Sequence, residues 1–376
     1  MRIEMSEARP IHDWQGWSGS LLALGDGTIL MFGGDYSLRS HDAGQNWSRG
    51  PAVAGPTVLL HDGSMQCLMN PSEPVGEAPW SKFRTKRSIS YDGWKTVEEP
   101  IDTTVEIPDV RSMFGDDYQW HPPSFERGVE LETGTLLHAM MCNFAGDGGK
   151  VVGFEGGIPY RTIVVGSTDH GKSYQYVSTV AYDAETGQES FCEPSLLHLG
   201  GGDILCIMRT GRYAPMHQAR SLDGGKTWSQ PQSARVLGLA PCLTSLPNGV
   251  IVCSYGWRPM RGDQEGSYGQ ALLDYHRRYK AEIGLEEPDG MEAGNYVMFS
   301  MDHGQTWVNH TKIADPLTTG YTSVCAIDDD RALVVYARWG RTPFAWPEAN
   351  ILPGFDIAQP GEPEVMSKTI TVRSDV

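Results

Sequence analysis

One eight-residue pattern recurs along the chain and restricts its fold more than any other feature. The pattern Ser-x-Asp-x-Gly-x-x-Trp starts at Ser40, Ser221 and Ser300, and a copy at Ser167 ends in Tyr. A fifth copy at Ser90 keeps Ser and Asp but lacks the Gly. Ser and Asp can satisfy backbone N–H groups in a tight turn, Gly can take a positive φ, and the aromatic ring can pack on the adjoining strands. Five such octets predict a protein built from repeated units.

A second repeat alternates with the octets. Two hydrophobic runs separated by a short turn of Gly, Asp or Asn predict a β-hairpin. Six hairpins are predicted, over Leu21–Leu30, Val58–Leu68, Val129–Leu137, Leu196–Ile207, Leu243–Cys253 and Val324–Tyr336. An octet follows each of the first five hairpins. The repeated unit is therefore a four-stranded antiparallel blade whose second hairpin carries the octet at its turn.

These repeats predict an all-β fold, a six-bladed β-propeller of four-stranded antiparallel blades that uses residues 1–376 as a single domain. The sixth hairpin has no octet, and its blade is expected to take its outer strands from Lys368–Ser374 and Met1–Met5 and so to close the ring. Only Gly262–Ala293 departs clearly from the β pattern. Its apolar residues have helical spacing, which predicts a short helical insertion (residues 262–293) in blade five.

Composition narrows the function classes. A net charge of −17 disfavours nucleic acid and anionic membranes as partners. No apolar run reaches membrane length, and Met1–Trp14 lacks the apolar core of a signal peptide, so a cytoplasmic location is expected, or secretion if a signal has been removed. Five of the seven Cys are placed on the strand after a hairpin turn, where they are expected to be buried core residues: Cys67, Cys142, Cys206, Cys253 and Cys325.

The blade topology predicts which face binds a ligand. In an antiparallel blade the first and third turns lie at one end, so the hairpin turns and the octets share one face. The opposite face carries the remaining links, which hold most of the unusual polar and aromatic residues, and propellers bind ligands in the mouth of such a face. The candidates are Asp35, Arg84, Arg87, Arg111, Asp116, Asp117, Trp120, His121, Glu193, Arg209, Arg212, His217, Tyr255, Arg258, Arg261, Tyr321 and Arg338.

The octets and their spacing resemble the Asp-boxes (BNR repeats) of the sialidase, or neuraminidase, superfamily, and the resemblance covers essentially the whole chain. In that family the boxes lie on the face opposite the active site, and they also occur in lyases, other glycosidases and binding proteins. The resemblance therefore implies a fold more directly than it implies an activity.

Two segments resemble catalytic segments of that family. Phe191–Ser195 with the later Met208-Arg209-Thr210 resembles the blade that supplies a Glu and an Arg on adjacent strands, and Gly320–Ser323 resembles the segment with the nucleophilic Tyr. The resemblance implies that Tyr321 attacks the anomeric carbon after Glu193 takes its proton, with Asp35 as the acid/base. A phenol with a pKa of about 10 needs such a carboxylate to become a nucleophile.

The arginines depart from the family pattern. Sialidases hold the substrate carboxylate with three arginines, of which Arg209 matches one. Trp14–Ser20 lacks the first, and Gly294-Asn295-Tyr296 lacks the third, for which Arg258 is a substitute from the neighbouring loop. These departures favour a relative that acts on a different sugar. The other substrate-binding candidates are Arg212, Arg338, Trp120 and Tyr255.

Two other classes stay open. Asp116–Pro123 combines an aromatic side chain with His121, whose intrinsic pKa suits proton abstraction, so a lyase that uses His121 or Tyr321 is the first alternative. A non-catalytic glycan-binding propeller is the second. The favoured prediction is a sialidase-like exo-glycosidase that removes a terminal, acidic sugar from a glycan or oligosaccharide. No cofactor or metal is expected, since no His, Cys and Asp spacing matches a ligand set, and the oligomeric state is left open.

Overall fold

The structure is a computed structural model and describes residues 1–12, 14, 19–33, 35–53, 55–71, 73–111, 124–149, 151, 159–211, 214–257, 294–314, 318–338 and 364–373. These residues form β-strands, turns and loops and no helix, so the predicted all-β class is confirmed for this part of the chain. The strands are β1 (Arg2–Met5), β2 (Arg9–Ile11), β3 (Ser20–Ala23), β4 (Ile29–Phe32), β5 (Ser37–Ser40), β6 (Ser48–Gly50), β7 (Thr57–Leu59), β8 (Met65–Leu68), β9 (Glu73–Pro74), β10 (Trp80–Ser90), β11 (Ile101–Arg111), β12 (Ser124–Glu130), β13 (Leu136–Phe144), β14 (Arg161–Ser167), β15 (Ser173–Ala181), β16 (Cys192–Gly200), β17 (Asp203–Arg209), β18 (Pro215–Ser221), β19 (Gln232–Leu237), β20 (Leu239–Ser245), β21 (Ile251–Trp257), β22 (Gly294–Ser300), β23 (Val308–Ala314), β24 (Thr318–Ala326), β25 (Arg331–Arg338) and β26 (Glu364–Arg373).

The chain divides into two compact units. Unit 1 comprises Met1–Ala52, Arg212–Ala214 and Arg235–Val376, and unit 2 comprises Val53–Gly211 and Pro215–Ala234. The predicted helical insertion, residues 262–293, lies outside the described residues.

Unit 1 contains three sheets. Strands β3 to β6 form one four-stranded antiparallel sheet, and β20 to β23 form another. The third has the order β1-β26-β25-β24, with β2 also paired to β26. In it Arg2 pairs with Arg373 and Met5 with Ile370, as predicted for the outer strands of the last sheet.

Unit 2 contains a nine-stranded sheet made of two antiparallel four-stranded runs. The runs are β7-β8-β10-β11 and β12-β13-β14-β15, and β9 is a short addition on β10. They join because β11 and β15 pair in parallel, from Thr104 with Ser173 to Glu106 with Gln175. The sequence did not predict this parallel join. A further four-stranded sheet has the order β16-β17-β18-β19, and the chain passes from unit 2 to unit 1 within β19.

All six predicted hairpins are confirmed by antiparallel pairing: β3 with β4, β7 with β8, β12 with β13, β16 with β17, β20 with β21, and β24 with β25. Cys325 is buried as predicted, but its predicted strand is wrong, since it lies on β24, before the turn and not after it. All seven Cys are free thiols, and burial raises the pKa of Cys67 to about 12. The six buried Cys, all except the half-buried Cys242, therefore act as small core residues.

Apolar residues of neighbouring sheets pack together within each unit. In unit 1, Val297 and Phe299 of β22 share a buried cluster with Val324 of β24 and Val334 of β25. In unit 2, a cluster joins β13 and β14 to β16 and β17. Each buried aliphatic side chain of this kind stabilises the fold by roughly 2 kcal/mol, so the sheets are held as rigid supports for the loops at their ends.

Each octet is a hydrogen-bonded turn of its own. In the copy at Ser221, the Ser221 Oγ accepts from the Gly225 N–H at 2.8 Å and donates to the Asp223 Oδ1 at 2.8 Å. Asp223 also accepts from the Thr227 N–H at 2.9 Å and the Thr227 hydroxyl at 2.6 Å. These donors, the Thr227 hydroxyl first, lower the pKa of Asp223 to about 2. The Ser221 and Asp223 side chains thus find these hydrogen-bond partners within the octet itself.

The fifth octet keeps this turn although Trp94 stands at the Gly position. Trp94 has a φ of +58° and its N–H donates to the Ser90 Oγ at 2.8 Å, as Gly does in the other copies. A left-handed backbone costs a non-Gly residue about 1–2 kcal/mol. The Trp94 ring is 1% exposed, and its burial offsets that cost. The octet therefore needs the left-handed conformation and not the Gly itself.

The hairpin turn and the octet lie at one end of the sheet formed by β16 to β19. The Gly224 N–H of the octet donates to the Gly202 carbonyl of the β16–β17 turn at 2.9 Å. Both turns are therefore at the same end, as the topology predicted, and the first residues of β16 and the last residues of β17 lie at the other end.

Candidate functional site

Glu193 and Arg209 lie at the end of β16 and β17 that is opposite the octet. Cys192 pairs with Arg209, and the register then shifts before Ser195 pairs with Ile207. Glu193 sits at this irregularity with a φ of +43°. Its Oε1 accepts from the Arg209 Nη1 at 2.8 Å. The structure thus brings together the Glu and Arg that the sequence placed on adjacent strands.

A second carboxylate that the sequence did not single out binds the same guanidinium. The Glu189 Oε1 lies 2.6 Å from the Arg209 Nη2. The side chains of Arg209, Glu189 and Glu193 are only 14–16% exposed. This Arg209 group therefore holds two carboxylates against one cation in a largely buried place.

The backbone of the loop before β16 holds Glu189 next to Arg209. The Gln188 N–H donates to the Thr210 carbonyl at 2.7 Å, next to Arg209 in the chain. Gly187 has a φ of +67°, and a Cβ there would lie 2.2 Å from the Thr210 carbonyl oxygen, so only Gly permits this close approach. Ser190 also has a positive φ, +59°. Two backbone contacts and two left-handed residues thus fix the position of Glu189.

Tyr160 joins the Arg209 group from the segment before β14. The Tyr160 N–H donates to the Glu189 carbonyl at 2.8 Å, and the Phe191 N–H donates to the Tyr160 carbonyl at 3.2 Å. Burial raises the pKa of the Tyr160 hydroxyl; negative charge on Glu189 and Glu193 adds to the shift, and Arg209 opposes it. The Tyr160 phenol is therefore kept protonated, and it can donate a hydrogen bond.

The residue after Tyr160 is held by a separate buried ion pair. The Arg161 guanidinium contacts both carboxylate oxygens of Asp147, which is 3% exposed, and its Nη1 donates to the Thr179 Oγ1 at 3.1 Å. The same guanidinium stacks 4.6 Å from the Phe144 ring centre and 4.3 Å from that of Tyr182. Since Arg161 is engaged on all sides, it acts as a support for Tyr160.

In unit 1, Tyr321 lies on β24, where the backbone is tightly packed against β21. A Cβ at Gly256 would lie 2.0 Å from the Gly320 carbonyl oxygen, so the two glycines allow the strands to approach. The Asn295 Nδ2 donates to the Tyr321 carbonyl at 3.5 Å, and the Thr322 hydroxyl donates to the Ser254 Oγ at 2.8 Å. Tyr321 itself is partly exposed. Its backbone is therefore fixed, and its role as nucleophile stays a prediction.

Tyr255, a predicted substrate-binding residue, is 1% exposed. Its ring stacks on Tyr296 with centroids 5.6 Å apart, and its hydroxyl lies 3.3 Å from the His310 Nδ1. Burial lowers the pKa of His310. The Tyr255 ring is thus buried against the sheet of β20 to β23. Its predicted contact with a substrate is untested, and this burial disfavours it.

The remaining predicted site residues are placed in part. Asp35 is exposed in the loop after β4, beside Tyr36, whose ring meets that of Trp14 edge-on at 5.6 Å. Arg338 is the last residue of β25, in register with Thr318. Seven candidates of the sequence analysis lie outside the described residues: Asp116, Asp117, Trp120, His121, Arg212, Arg258 and Arg261.

Three further candidates have structural partners. Arg87 is 5% exposed and donates to the His170 carbonyl at 3.1 Å, and His217, 8% exposed, lies 2.9 Å from the Pro215 carbonyl through its Nδ1. The Arg111 Nη2 donates to the Asp147 carbonyl at 2.5 Å. Within the described part of the chain, no group of three or more His, Cys, Asp or Glu could hold a metal ion, and no helix could span a membrane.

Comparison with known proteins finds the fold in solved structures. No family model matches, and no curated protein matches. A protein of unknown function from Dyadobacter fermentans is 18% identical, with a TM-score of 0.62 and 99% of both chains covered. The Hadza microbial sialidase Hz136 is 15% identical (TM-score 0.56), with 85% of this chain and 63% of that chain covered. The NanB sialidase of Streptococcus pneumoniae (K499G mutant) is 10% identical (TM-score 0.53), with 96% and 68% covered. The chain therefore spans about two thirds of the length of these two sialidases.

These similarities concern the fold of the chain. At identities of 10–18% these likenesses show that the fold is shared, and they are no evidence for a shared activity. The chain therefore shares an all-β fold with these solved structures, two of which are sialidases.

Proposed function

We propose that the protein is a glycoside hydrolase of the sialidase-like fold that removes a terminal sugar from a glycan or oligosaccharide. The observation that carries this proposal is the Arg209 group, in which two largely buried carboxylates contact one guanidinium at the loop end of a sheet. Glycoside hydrolysis needs a proton donor and a group that attacks or stabilises the anomeric carbon, and carboxyl and phenol groups supply both.

The individual roles follow the sequence analysis. Tyr321 is proposed as the nucleophile, Glu193 as the base that takes its proton, and Asp35 as the acid/base, with His121 as the alternative base. The confirmed hairpins and the four-stranded sheets support the further proposal that residues 1–376 form a single six-bladed propeller with Asp-box turns. A cytoplasmic location, and a carbohydrate substrate without nucleic acid or membrane as partners, stay predictions, and a homo-oligomer stays open.

Product analysis by mass spectrometry tests the reaction class. The full chain is incubated with sialosides, uronate-capped oligosaccharides and neutral glycans. Release of a sugar with one water added to the cleaved bond supports hydrolysis. An unsaturated uronate formed without added water would instead show a lyase and overturn the proposal.

Two variants test the site once a substrate is found. Glu193→Gln and Tyr321→Phe are each expected to lower kcat by about 10²- to 10⁴-fold, because each removes a proton-transfer step or the nucleophile. Tyr91→Phe is the control, since Tyr91 is 75% exposed at an octet. Full turnover in both site variants, with unchanged melting temperatures, would show that the assignment is wrong.

A further inference from the structure

A polar cavity lies between the two ends of the chain in unit 1. Its volume is about 250 Å³, and it is lined by the N-terminal segment around Ser6 and Arg9, by β26, by the start of β25 and by the octet that begins at Ser40. We propose that this cavity binds a phosphate or sulfate group, either as the free ion or as part of a small molecule, and that Arg9 pairs with its charge. The proposal is independent of the proposed hydrolase, because the cavity belongs to unit 1 and the Arg209 group belongs to unit 2.

Strand β26 supplies a row of hydroxyl groups to this cavity. Ser367, Thr369 and Thr371 line it, and their alternate positions place them on one face of the strand. Ile370 and Val372 lie on the other face, where both are fully buried in an apolar cluster. The face of β26 toward the cavity is therefore polar over these five residues.

Two of the three hydroxyls have no protein partner. The Ser367 hydroxyl donates to the Arg9 carbonyl at 3.4 Å. Among the residues that the structure describes, the Thr369 and Thr371 hydroxyls make no hydrogen bond, although both residues are half-buried. Each of these two hydroxyls can therefore donate to an acceptor atom in the cavity.

The octet and Leu333 close one side of the cavity. A Cβ at Gly44 would lie 2.7 Å from the Leu333 Cδ2, so the octet backbone packs directly on that side chain. Leu333 is 2% exposed and belongs to an apolar cluster that joins β3, β4 and β5 to β25. Regular strands and a hydrogen-bonded turn thus surround the cavity, so a ligand would bind without having to order a loop.

The types of side chain around the cavity favour an anion over a neutral sugar. None of the ten described residues that line it is acidic or aromatic. A neutral sugar carries many hydroxyl donors and needs acceptors, whereas the charged lining residues are Arg9 and Arg331, which only donate. Phosphate and sulfate groups carry several acceptor oxygens and negative charge, which suits a guanidinium beside hydroxyl groups.

Arg9 provides the positive charge for this anion. It is exposed, and within the described part of the chain no ion pair or hydrogen bond engages its guanidinium. Arg331 contributes less, because its Nε already donates to the Asp328 Oδ2 at 2.8 Å. Glu4, a neighbouring carboxylate on β1, lies 3.0 Å from the Arg2 Nη2. Arg9 can therefore direct its N–H donors to an anion without breaking an ion pair.

Titration calorimetry on the full chain at constant ionic strength tests the site with inorganic phosphate, sulfate, glucose 6-phosphate and glucose. We expect the anions to bind with a Kd in the millimolar range, since the site is open to solvent. Tighter binding of glucose 6-phosphate than of inorganic phosphate would identify a small molecule as the source of the group, and equal binding would identify the free ion. The absence of binding by all three anions would overturn the proposal.

Arg9→Gln identifies the residue responsible. It removes the guanidinium, so the Kd for inorganic phosphate is expected to rise about tenfold. Thr371→Val removes one donor and keeps the size of the side chain, and a rise of about threefold is expected. Arg2→Gln is the matched control, because Arg2 is an exposed residue of β1 and the change in net charge is the same. An unchanged Kd in Arg9→Gln, or an equal rise in Arg2→Gln, would contradict the proposal.

Hydrogen exchange of the unmodified protein tests where the anion binds. The Ser6 N–H donates to the Thr369 carbonyl at 2.9 Å, and the Thr369 N–H donates to the Ser6 Oγ at 3.0 Å, so these bonds join the two ends of the chain beside the cavity. Saturating phosphate should slow the exchange of both amides, because a bound anion opposes local opening there. Unchanged exchange at both amides would show that the anion binds elsewhere and would overturn the proposal.

Discussion

The octet turns and the Arg209 group satisfy carboxylates in opposite ways. In the octet, Asp223 is bonded by an N–H and a hydroxyl from Thr227, a residue four positions away, and it remains exposed to water. In the Arg209 group, Glu193 is bonded by a guanidinium from a residue 16 positions away, and both side chains are largely buried. The first arrangement forms from local sequence, whereas the second exists only once β16 and β17 have paired. The octet turns can therefore form from neighbouring residues alone, whereas the Arg209 group requires that two strands have already paired.

The largest expected loss of stability comes from removing the cation of the Arg209 group. Arg209→Leu removes the guanidinium that contacts Glu189 and Glu193 in a place of low exposure, and we expect a loss of about 3 kcal/mol in the free energy of unfolding. Urea unfolding followed by tryptophan fluorescence measures it. Arg220→Leu is the control, since the Arg220 pair with Asp203 is 25–28% exposed and its loss should cost about 1 kcal/mol or less. Equal losses would mean that burial does not distinguish the two pairs.

A smaller effect is expected inside an octet, at a position where its backbone lies against the side chain of a distant residue. Gly171 has a φ of +77°, and a Cβ there would lie 2.0 Å from the Gln66 Nε2. Gly171→Ala should therefore cost about 2 kcal/mol, from the left-handed backbone together with the clash. Gly63→Ala is matched in φ, +82°, but has open space around it, and about 1 kcal/mol is expected. Thermal unfolding compares the two, and a reversed order would contradict this account.

Loss of one hydrogen bond in an octet should lower the free energy of unfolding by less than Gly171→Ala does. Thr227→Val removes the hydroxyl that donates to the Asp223 Oδ2 but keeps the size of the side chain, and we expect a loss of about 1 kcal/mol. The same measurement on Thr133→Val serves as the control, because the Thr133 hydroxyl lies in an exposed turn and donates only to Thr135. A larger loss for Thr133→Val would show that the octet bond contributes little.

Lowering the pH is expected to have the smallest effect on stability for each residue involved. The pKa values of Asp42, Asp169, Asp223 and Asp302 are lowered from 3.8 to about 2 in the folded protein. Between these values the unfolded chain binds protons that the folded chain does not, so the stability from the octets is present above pH 3.8 and is lost as the pH falls toward 2. Urea midpoints at pH 5, 3.5 and 2.5 should fall accordingly. Asp223→Asn should show a shallower fall, and a parallel fall would contradict the role of its carboxylate.

The sequence predicted what depends on local chemistry. The octets and the six hairpins follow from residues within about ten positions of one another, and all were found where the patterns placed them. The parallel pairing of β11 with β15 was missed, because no local pattern reports which strand edges meet. Trp94 was treated as a loss of the octet, although a buried aromatic ring can offset an unfavourable φ.

The candidate site was predicted only where a resemblance supplied it. Glu193 and Arg209 were paired because their segments resemble a sialidase blade, and the structure brings them into contact. Glu189 and Tyr160 were missed, since their approach depends on the register shift after Cys192 and on left-handed residues in the loop. Neither a bulge nor a positive φ at Ser190 or Glu193 has a sequence signal, because these residue types rarely adopt that conformation.

The pairing of β26 with both β1 and β2 has a consequence for synthesis on the ribosome. The Ser367 hydroxyl donates to the Arg9 carbonyl across 358 residues of chain, so β1 and β2 leave the ribosome long before their partner exists. At the usual rates of translation the interval is roughly 20–70 s. During that interval two strand edges are open to other chains, and β1 begins with Arg2 and Glu4, charged residues that keep an exposed edge soluble. Among the sheets described here, the one that contains β26 is thus completed last during synthesis.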